Sequence, residues 1–153
     1  MKDYDTQYSP TYPVSGEWWV NVKLADGTDI MGGYSKVLTY NTAANTPDSI
    51  WVTDVTSSDG SAPGNFWTYK CKAACHMADN TFSLPQGTSV ISGYNIGIKI
   101  TNGKVIKNGA VSPSGAKTDS IYYEIAFQDD TPSYGTKYIC SGYRRTGFQA
   151  DDH

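Results

Sequence analysis

The chain has 153 residues, with 12 lysines and arginines against 15 aspartates and glutamates, and its formal net charge is −3. This length indicates a single domain, and the acidic balance argues against nucleic acid as a partner, because phosphate binding needs a basic surface. No apolar run approaches the roughly 20 residues of a membrane-spanning helix, and the polar opening has no apolar segment typical of a signal peptide.

Strand patterns recur along the whole chain, beginning with alternating apolar and polar residues over 16–24. A period of two residues is typical of a strand with one buried face. The links are short and rich in glycine, proline and serine, and Asn102–Gly103 predicts a tight hairpin turn. The predicted strands cover residues 16–24, 34–41, 49–55, 65–73, about 80–84, 94–101, 104–111, 120–128 and 136–148.

Eight or nine sequential strands with short links predict an all-β, antiparallel up-and-down meander. Such a meander removes its exposed edges most simply by closing into a barrel. A two-sheet sandwich is the alternative, although sandwiches usually need longer crossover connections. We expect a flexible N-terminal lead-in over residues 1–14, one barrel domain over 15–149 and a polar, solvated tail over 150–153.

Barrel closure brings the start of the first strand, with Gly16 and Trp18, beside the end of the last strand, with Arg144 and Arg145. This combination resembles the lipocalin and wider calycin signature, in which a tryptophan plugs one end of the barrel and an arginine lies across its ring. We expect a guanidinium within about 6 Å of the Trp18 ring centre. Strand parity allows only one of the two arginines to point inward, and Ile139 on the same face favours Arg145.

A closer resemblance covers most of the chain. The segments YSKVLTYNTAANTPDSIWVTD, NGKVIKNGAVSPSGAKTDSIYYEIAF and SGYRRTGF are similar to a family of small exported Bacteroidetes proteins labelled lipid-binding putative hydrolases, which have a calycin-like barrel. The resemblance implies a precursor with a lipoprotein export signal that this chain lacks. It also implies a location in the periplasm or at the outer-membrane surface, with membrane attachment through that lipid anchor. It supplies no catalytic residues.

The residues themselves give little support for hydrolysis. A serine or cysteine nucleophile needs a base, most often histidine, and the chain contains only His76 and His153. His153 belongs to the polar tail, and Cys75 and His76 are neighbours that a strand directs to opposite faces. A carboxylate pair is conceivable in principle, from Asp54, Asp119 and Glu124.

Three cysteines do not form the even set of a disulfide framework, and no second cysteine pair completes a zinc site. We therefore expect ordinary half-buried thiols at Cys71, Cys75 and Cys140, with a disulfide as the less favoured alternative. No metal and no cofactor are expected.

The apolar stripes are rich in aromatic residues, which suit a lipid or a sugar face. A barrel of about eight strands can hold one small ligand or fill with side chains. The sequence favours a small apolar or amphipathic, lipid-like ligand, bound in or at the mouth of the barrel. The alternatives are a surface module with a filled barrel, binding glycan or a partner protein, and a hydrolase. The candidate ligand-binding residues are Trp51, Phe66, Tyr123 and Phe127.

Overall fold

A computed structural model describes residues 10–57 and 61–153 and shows one closed barrel of eight antiparallel strands. Each strand pairs with the next, and the last pairs with the first. The predicted all-β meander barrel is confirmed, and the sandwich alternative is excluded. No helix in the described ranges is long and apolar enough to cross a membrane. The strands are β1 Gly16–Lys23, β2 Asp29–Asn41, β3 Ser49–Thr53, β4 Lys70–His76, β5 Thr81–Thr88, β6 Gly97–Val111, β7 Lys117–Phe127 and β8 Tyr138–Arg144.

Side chains fill the barrel interior. At the centre, the hydroxyls of Tyr69 and Tyr123 are hydrogen-bonded at 2.8 Å, and burial raises the pKa of both phenols well above the ordinary value. The three cysteines are free thiols, as expected, but they are buried rather than half-buried, because all three point into the barrel. Most inward-facing residues of the strands are at most 2% exposed, among them Val20, Val22, Val37, Ile50, Val52, Cys71, Ala73, Phe82, Ile98, Ile100, Ile121, Ile125 and Cys140.

The hairpin predicted at Asn102–Gly103 is wrong, because both residues lie inside the long strand β6. Asn102 has a φ of 55°, and the pairing of β6 with β7 shifts in register at this point. The dipeptide forms a β-bulge that bends the strand and lets it continue. A side chain at Gly103 would collide with Phe82. The pairing of β6 with strands on both sides therefore prevails over the local turn preference.

The fourth strand begins later than predicted. Residues 65–69, assigned to a strand from their alternation, belong to the connection between β3 and β4, and the strand covers Lys70–His76. The second strand begins at Asp29, earlier than the predicted residue 34, and contains the glycine pair at 32–33. A tight turn at Asp26–Gly27 joins β1 to β2, and in it the Gly27 amide donates to the Leu24 carbonyl at 2.9 Å.

The N-terminal approach to the barrel is packed wherever the structure describes it. Residues 1–9 of the predicted lead-in lie outside the described residues. Tyr12–Val14 forms a 3₁₀ turn, and Thr11 and Val14 are both fully buried. The prediction of a flexible lead-in is therefore wrong for this turn, which covers one end of the barrel.

The C-terminal residues also pack on the barrel. Gln149–Asp151 forms a second 3₁₀ turn, and Asp151 is fully buried, with its carboxylate accepting the Ser114 amide at 2.7 Å. The predicted solvated tail is wrong for this residue. The His153 ring lies edge-on to Trp19, 5.2 Å between ring centres. The chain end thus helps to cover a tryptophan that faces outward.

Candidate functional site

The closed end of the barrel is built around Trp18, which is fully buried. Its indole N–H donates to Thr39 Oγ1 at 2.8 Å, and that hydroxyl donates to the Val14 carbonyl at 2.6 Å. The guanidinium carbon of Arg144 lies 4.3 Å from the Trp18 ring centre, so the contact expected from the sequence is present. A cation at such a distance from an indole face contributes about 0.5–2 kcal/mol.

The other donors of Arg144 are taken by groups at the same end of the barrel. Nε donates to Asp119 Oδ2 at 3.1 Å and Nη2 to the Pro13 carbonyl at 3.0 Å. Nη1 donates to the Ser15 carbonyl. A side chain at Gly16 would collide with the guanidinium, which explains the glycine at that position. One arginine thus ties the last strand to the N-terminal turn and to β7.

The expectation that Arg145 points inward is wrong. Its guanidinium lies on the outer surface, 3.1 Å from Glu17 Oε2 and 3.0 Å from Asp152 Oδ1. The inward face of β8 carries Cys140, which is 1% exposed, whereas Ile139 is half-buried on the outer face. The apolar character of Ile139 was therefore a misleading guide to strand parity.

At the opposite end, the mouth, the connection between β3 and β4 forms an aromatic cap made of Phe66 and Trp67. The buried Asp54 carboxylate accepts backbone N–H bonds from four successive residues, 66–69, at 2.7–2.9 Å. Hydrogen bonds to a carboxylate are stronger than neutral ones, so they fix the cap. The Trp67 ring stacks on Phe127 with 4.3 Å between centres. The cap therefore closes the mouth over the filled interior.

The four candidate ligand-binding residues occupy three different environments. Tyr123 is inside the barrel and fully buried. Phe66 and Phe127 meet at the mouth, 5.9 Å between ring centres. Trp51 lies on the outer face of β3, because its neighbours Ile50 and Val52 take the inward positions. The structure therefore does not bring the four together into one site.

A cleft of about 440 Å³ lies on the outer surface beside the mouth. We call it the mouth cleft. Aliphatic and aromatic side chains make up much of its wall, and Lys70 is the charged residue among the described residues that line it. The volume is within the range of small-molecule sites, which are mostly apolar with a few polar groups. The lining residues are Leu38, Tyr40, Thr53, Val55, Thr56, Ser57, Lys70 and Ile91.

Two further depressions lie on the outside of the barrel. One of about 490 Å³ shares Leu38 and Tyr40 with the mouth cleft and extends toward Gly16. The other, of about 460 Å³, is on the far side at the β6 bulge and has a largely polar lining that includes Asn102 and Tyr122. The two apolar depressions thus adjoin along the outer face of β2, one beside the mouth and the other toward the closed end.

The residues considered for catalysis are spread over the molecule. Asp54 holds the aromatic cap at the mouth, and Asp119 pairs with the closing arginine at the other end. Glu124 lies on the outer face, where Asn102 donates to it. Cys75 points inward and His76 is exposed. Within the described ranges, these groups do not form a shared site.

Sequence reasoning missed the cap and the cleft for identifiable reasons. Asp54 was predicted near the end of the strand 49–55, beside a turn rich in glycine and serine, and this position is typical of a solvent-exposed aspartate. Trp67 was expected in a strand. The mouth cleft depends on Ile91, from the connection between β5 and β6, meeting residues of β2 and β3 that come much earlier in the chain. Local patterns carry no signal for such a contact.

Comparison with known proteins identifies one matching family. The family model described as lipid-binding putative hydrolase matches residues 3–149, which is nearly the whole chain. No curated protein matches. The match covers every strand of the barrel, both of its ends and the mouth cleft. The chain therefore belongs to the lipid-binding putative hydrolase family.

Proposed function

We propose that the protein binds one small, lipid-like molecule and that the apolar part of this ligand lies in the mouth cleft. The family is described as lipid-binding, and a closed barrel of eight strands is a common framework for such binding. Packed side chains occupy the barrel interior, whereas the mouth cleft is concave and largely apolar. This contrast is the observation that carries the proposal.

The cleft has the features expected of a preformed site. Its floor is the paired strands β2 and β3, which align Leu38 with Thr53, so the apolar floor is part of the barrel wall. Its rim is held by backbone hydrogen bonds, since the Val90 amide donates to the Lys70 carbonyl at 2.8 Å. Ile91 follows directly in the chain and lines the cleft. A ligand would therefore meet walls that are ordered before it arrives.

Calorimetric titration with decanol tests the proposal, because this probe has an alkyl chain and no charge. We expect one molecule to bind per protein. Ile91→Gln and, separately, Val55→Gln should each weaken binding about fivefold, which corresponds to about 1 kcal/mol of lost apolar contact. Val111→Gln is the matched control, because Val111 is 65% exposed and remote from the cleft.

Equal decanol affinity for Ile91→Gln, Val55→Gln and the control would contradict the cleft as the site. Complete absence of binding to the wild type would contradict lipid binding itself.

Export to the periplasm or to the outer-membrane surface is part of the proposal. Fractionation of the native host, with immunodetection of the protein, tests that part.

A further inference from the structure

The outer surface beside the mouth cleft is basic although the protein as a whole is acidic. Residues 36–41, β3 and β4 contain no aspartate or glutamate and carry three lysines. Two of these, Lys70 and Lys72, are two positions apart on β4 and therefore share its outer face. The net charge of the chain is −3. A concentration of positive charge here is thus a local feature of this surface.

Both lysines are arranged around one tryptophan. Trp51 pairs directly with Lys72 in the β3–β4 register, and Tyr40 pairs with Trp51 on the other side. The Lys70 Nζ lies 4.8 Å from the centre of the Trp51 ring system and 5.4 Å from that of Tyr40. The Lys72 Nζ lies 5.2 Å from the Trp51 centre. Two ammonium groups thus lie within about 5 Å of the centre of a single ring system.

Among the residues that the structure describes, the ion pairs are formed by Arg144 and Arg145. Neither the Lys70 nor the Lys72 ammonium group has a carboxylate partner there. An ammonium group offers three donors, and a ring face occupies only one side of it. The outward side of each group is left for an anion. Because Lys70 also lines the mouth cleft, such an anion would lie next to the apolar part of the cleft.

We propose that the ligand is an anionic amphiphile whose carboxylate or phosphate headgroup is held by Lys70 and Lys72, with its alkyl chain in the mouth cleft. This inference rests on the proposed function and names its ligand class. Trp51 lies at the boundary between the two parts. Its amphipathic ring suits a position with one polar and one apolar side, and the lysine stems extend the apolar surface.

A single bound molecule fits this surface better than a bilayer does. The apolar residues next to the lysines line a depression of about 440 Å³, whereas docking on a bilayer uses apolar side chains that project outward. Trp51 is half-buried, and both ammonium groups lie over its ring. The geometry therefore favours a monomeric amphiphile that enters the protein.

Calorimetric titrations with decanoate, decyl phosphate and decanol, all below their micelle concentrations, test the proposal. We expect the two anions to bind about tenfold more tightly than decanol, as two partly exposed ion pairs would provide. The double variant Lys70→Gln/Lys72→Gln should lose that preference, so that its affinities for the two anions and for decanol agree within about twofold. The advantage of the anions should also shrink as salt is raised.

Lys99→Gln/Lys104→Gln is the matched control. Each of these lysines also lies over an aromatic ring, at 4.3 Å and 5.3 Å from the ring centres, but on β6. The control removes the same charge and should leave every affinity unchanged. The relative affinities for decanoate and decyl phosphate show whether a carboxylate or a phosphate is the better headgroup.

The outcomes separate this inference from the proposed function. Equal binding of decanol and both anions, with no effect of the Lys70→Gln/Lys72→Gln variant, would overturn the headgroup inference and leave lipid binding standing. Absence of binding for all three probes would overturn both. Binding to vesicles of anionic phospholipid without binding of any monomeric probe would overturn the inference in favour of docking on a membrane surface.

Discussion

Replacement of Arg144 by methionine should destabilise the barrel by about 3 kcal/mol, as the sum of three lost contacts. Methionine keeps the apolar stem and removes the charge and the donors. The guanidinium lies over the buried Trp18 face, and the lost cation–π contact is worth about 1.5 kcal/mol. Two backbone carbonyls accept from the guanidinium, and together they contribute about 1 kcal/mol, because this end is only partly buried. The Arg144 and Asp119 side chains are 24% and 22% exposed, and a pair with this exposure adds about 0.5 kcal/mol.

Urea unfolding followed by tryptophan fluorescence measures this effect. With a slope of about 2 kcal/mol per molar urea, the midpoint should fall by about 1.5 M. Arg144→Lys should recover part of the loss, because it restores a charge over the ring without the fork of donors. Arg145→Met is the neighbouring control and should change the midpoint far less, as its ion pairs are exposed to solvent. Equal shifts for Arg144→Met and Arg145→Met would refute the closure argument.

Three further predictions concern the cap, the chain end and the buried thiols. Asp54→Ala leaves four amides of residues 66–69 without their acceptor and should cost about 3–5 kcal/mol in urea unfolding; a loss below about 1 kcal/mol would contradict this role. Burial raises the pKa of Asp151, but hydrogen bonds outweigh it and lower the pKa from 3.8 to about 2. The ionised carboxylate therefore stabilises the fold above pH 3.8, and this contribution is lost as the pH falls to about 2. In Asp151→Asn, the free energy of unfolding should therefore depend less on pH over that range. An unchanged pH dependence would contradict the stabilising role of the Asp151 carboxylate. Burial raises the pKa of Cys71 and Cys140 to about 12. Iodoacetamide at about pH 8 should therefore modify both thiols in urea but not in the folded protein. Mass spectrometry measures the labelling, and modification of either thiol in the folded protein would contradict this prediction.

Strand periodicity was sufficient to predict the barrel because each strand has one face in a packed interior. The position of Trp18 at one end of the chain and of an arginine at the other predicted the contact between them. The choice between Arg144 and Arg145 required knowing which face of β8 is inside. Tyr143, on the outer face, is 4% exposed because Asp151 and His153 cover it. A covered outer face cannot be distinguished from an inner face by hydrophobicity.

The binding surface was harder to predict for a related reason. Trp51 was expected to contact a ligand in or at the mouth of the barrel, but it alternates with Ile50 and Val52, which are both fully buried. Size and aromaticity do not decide which of two apolar faces is inside. The Asn102–Gly103 bulge was missed for a different reason. Its residues have a strong local preference for a tight turn, but pairing of β6 with both neighbouring strands prevails over that preference.

The central claim is that the ligand binds outside the barrel, in the mouth cleft, and it can be tested directly by NMR. Amide chemical shifts of ¹⁵N-labelled protein should be measured with and without saturating decanoate. Our account predicts that the largest changes cluster at the cleft, including Leu38, Val55, Lys70 and Ile91. Changes centred on interior residues such as Ile100 and Tyr123, or at the β6 bulge, would contradict it.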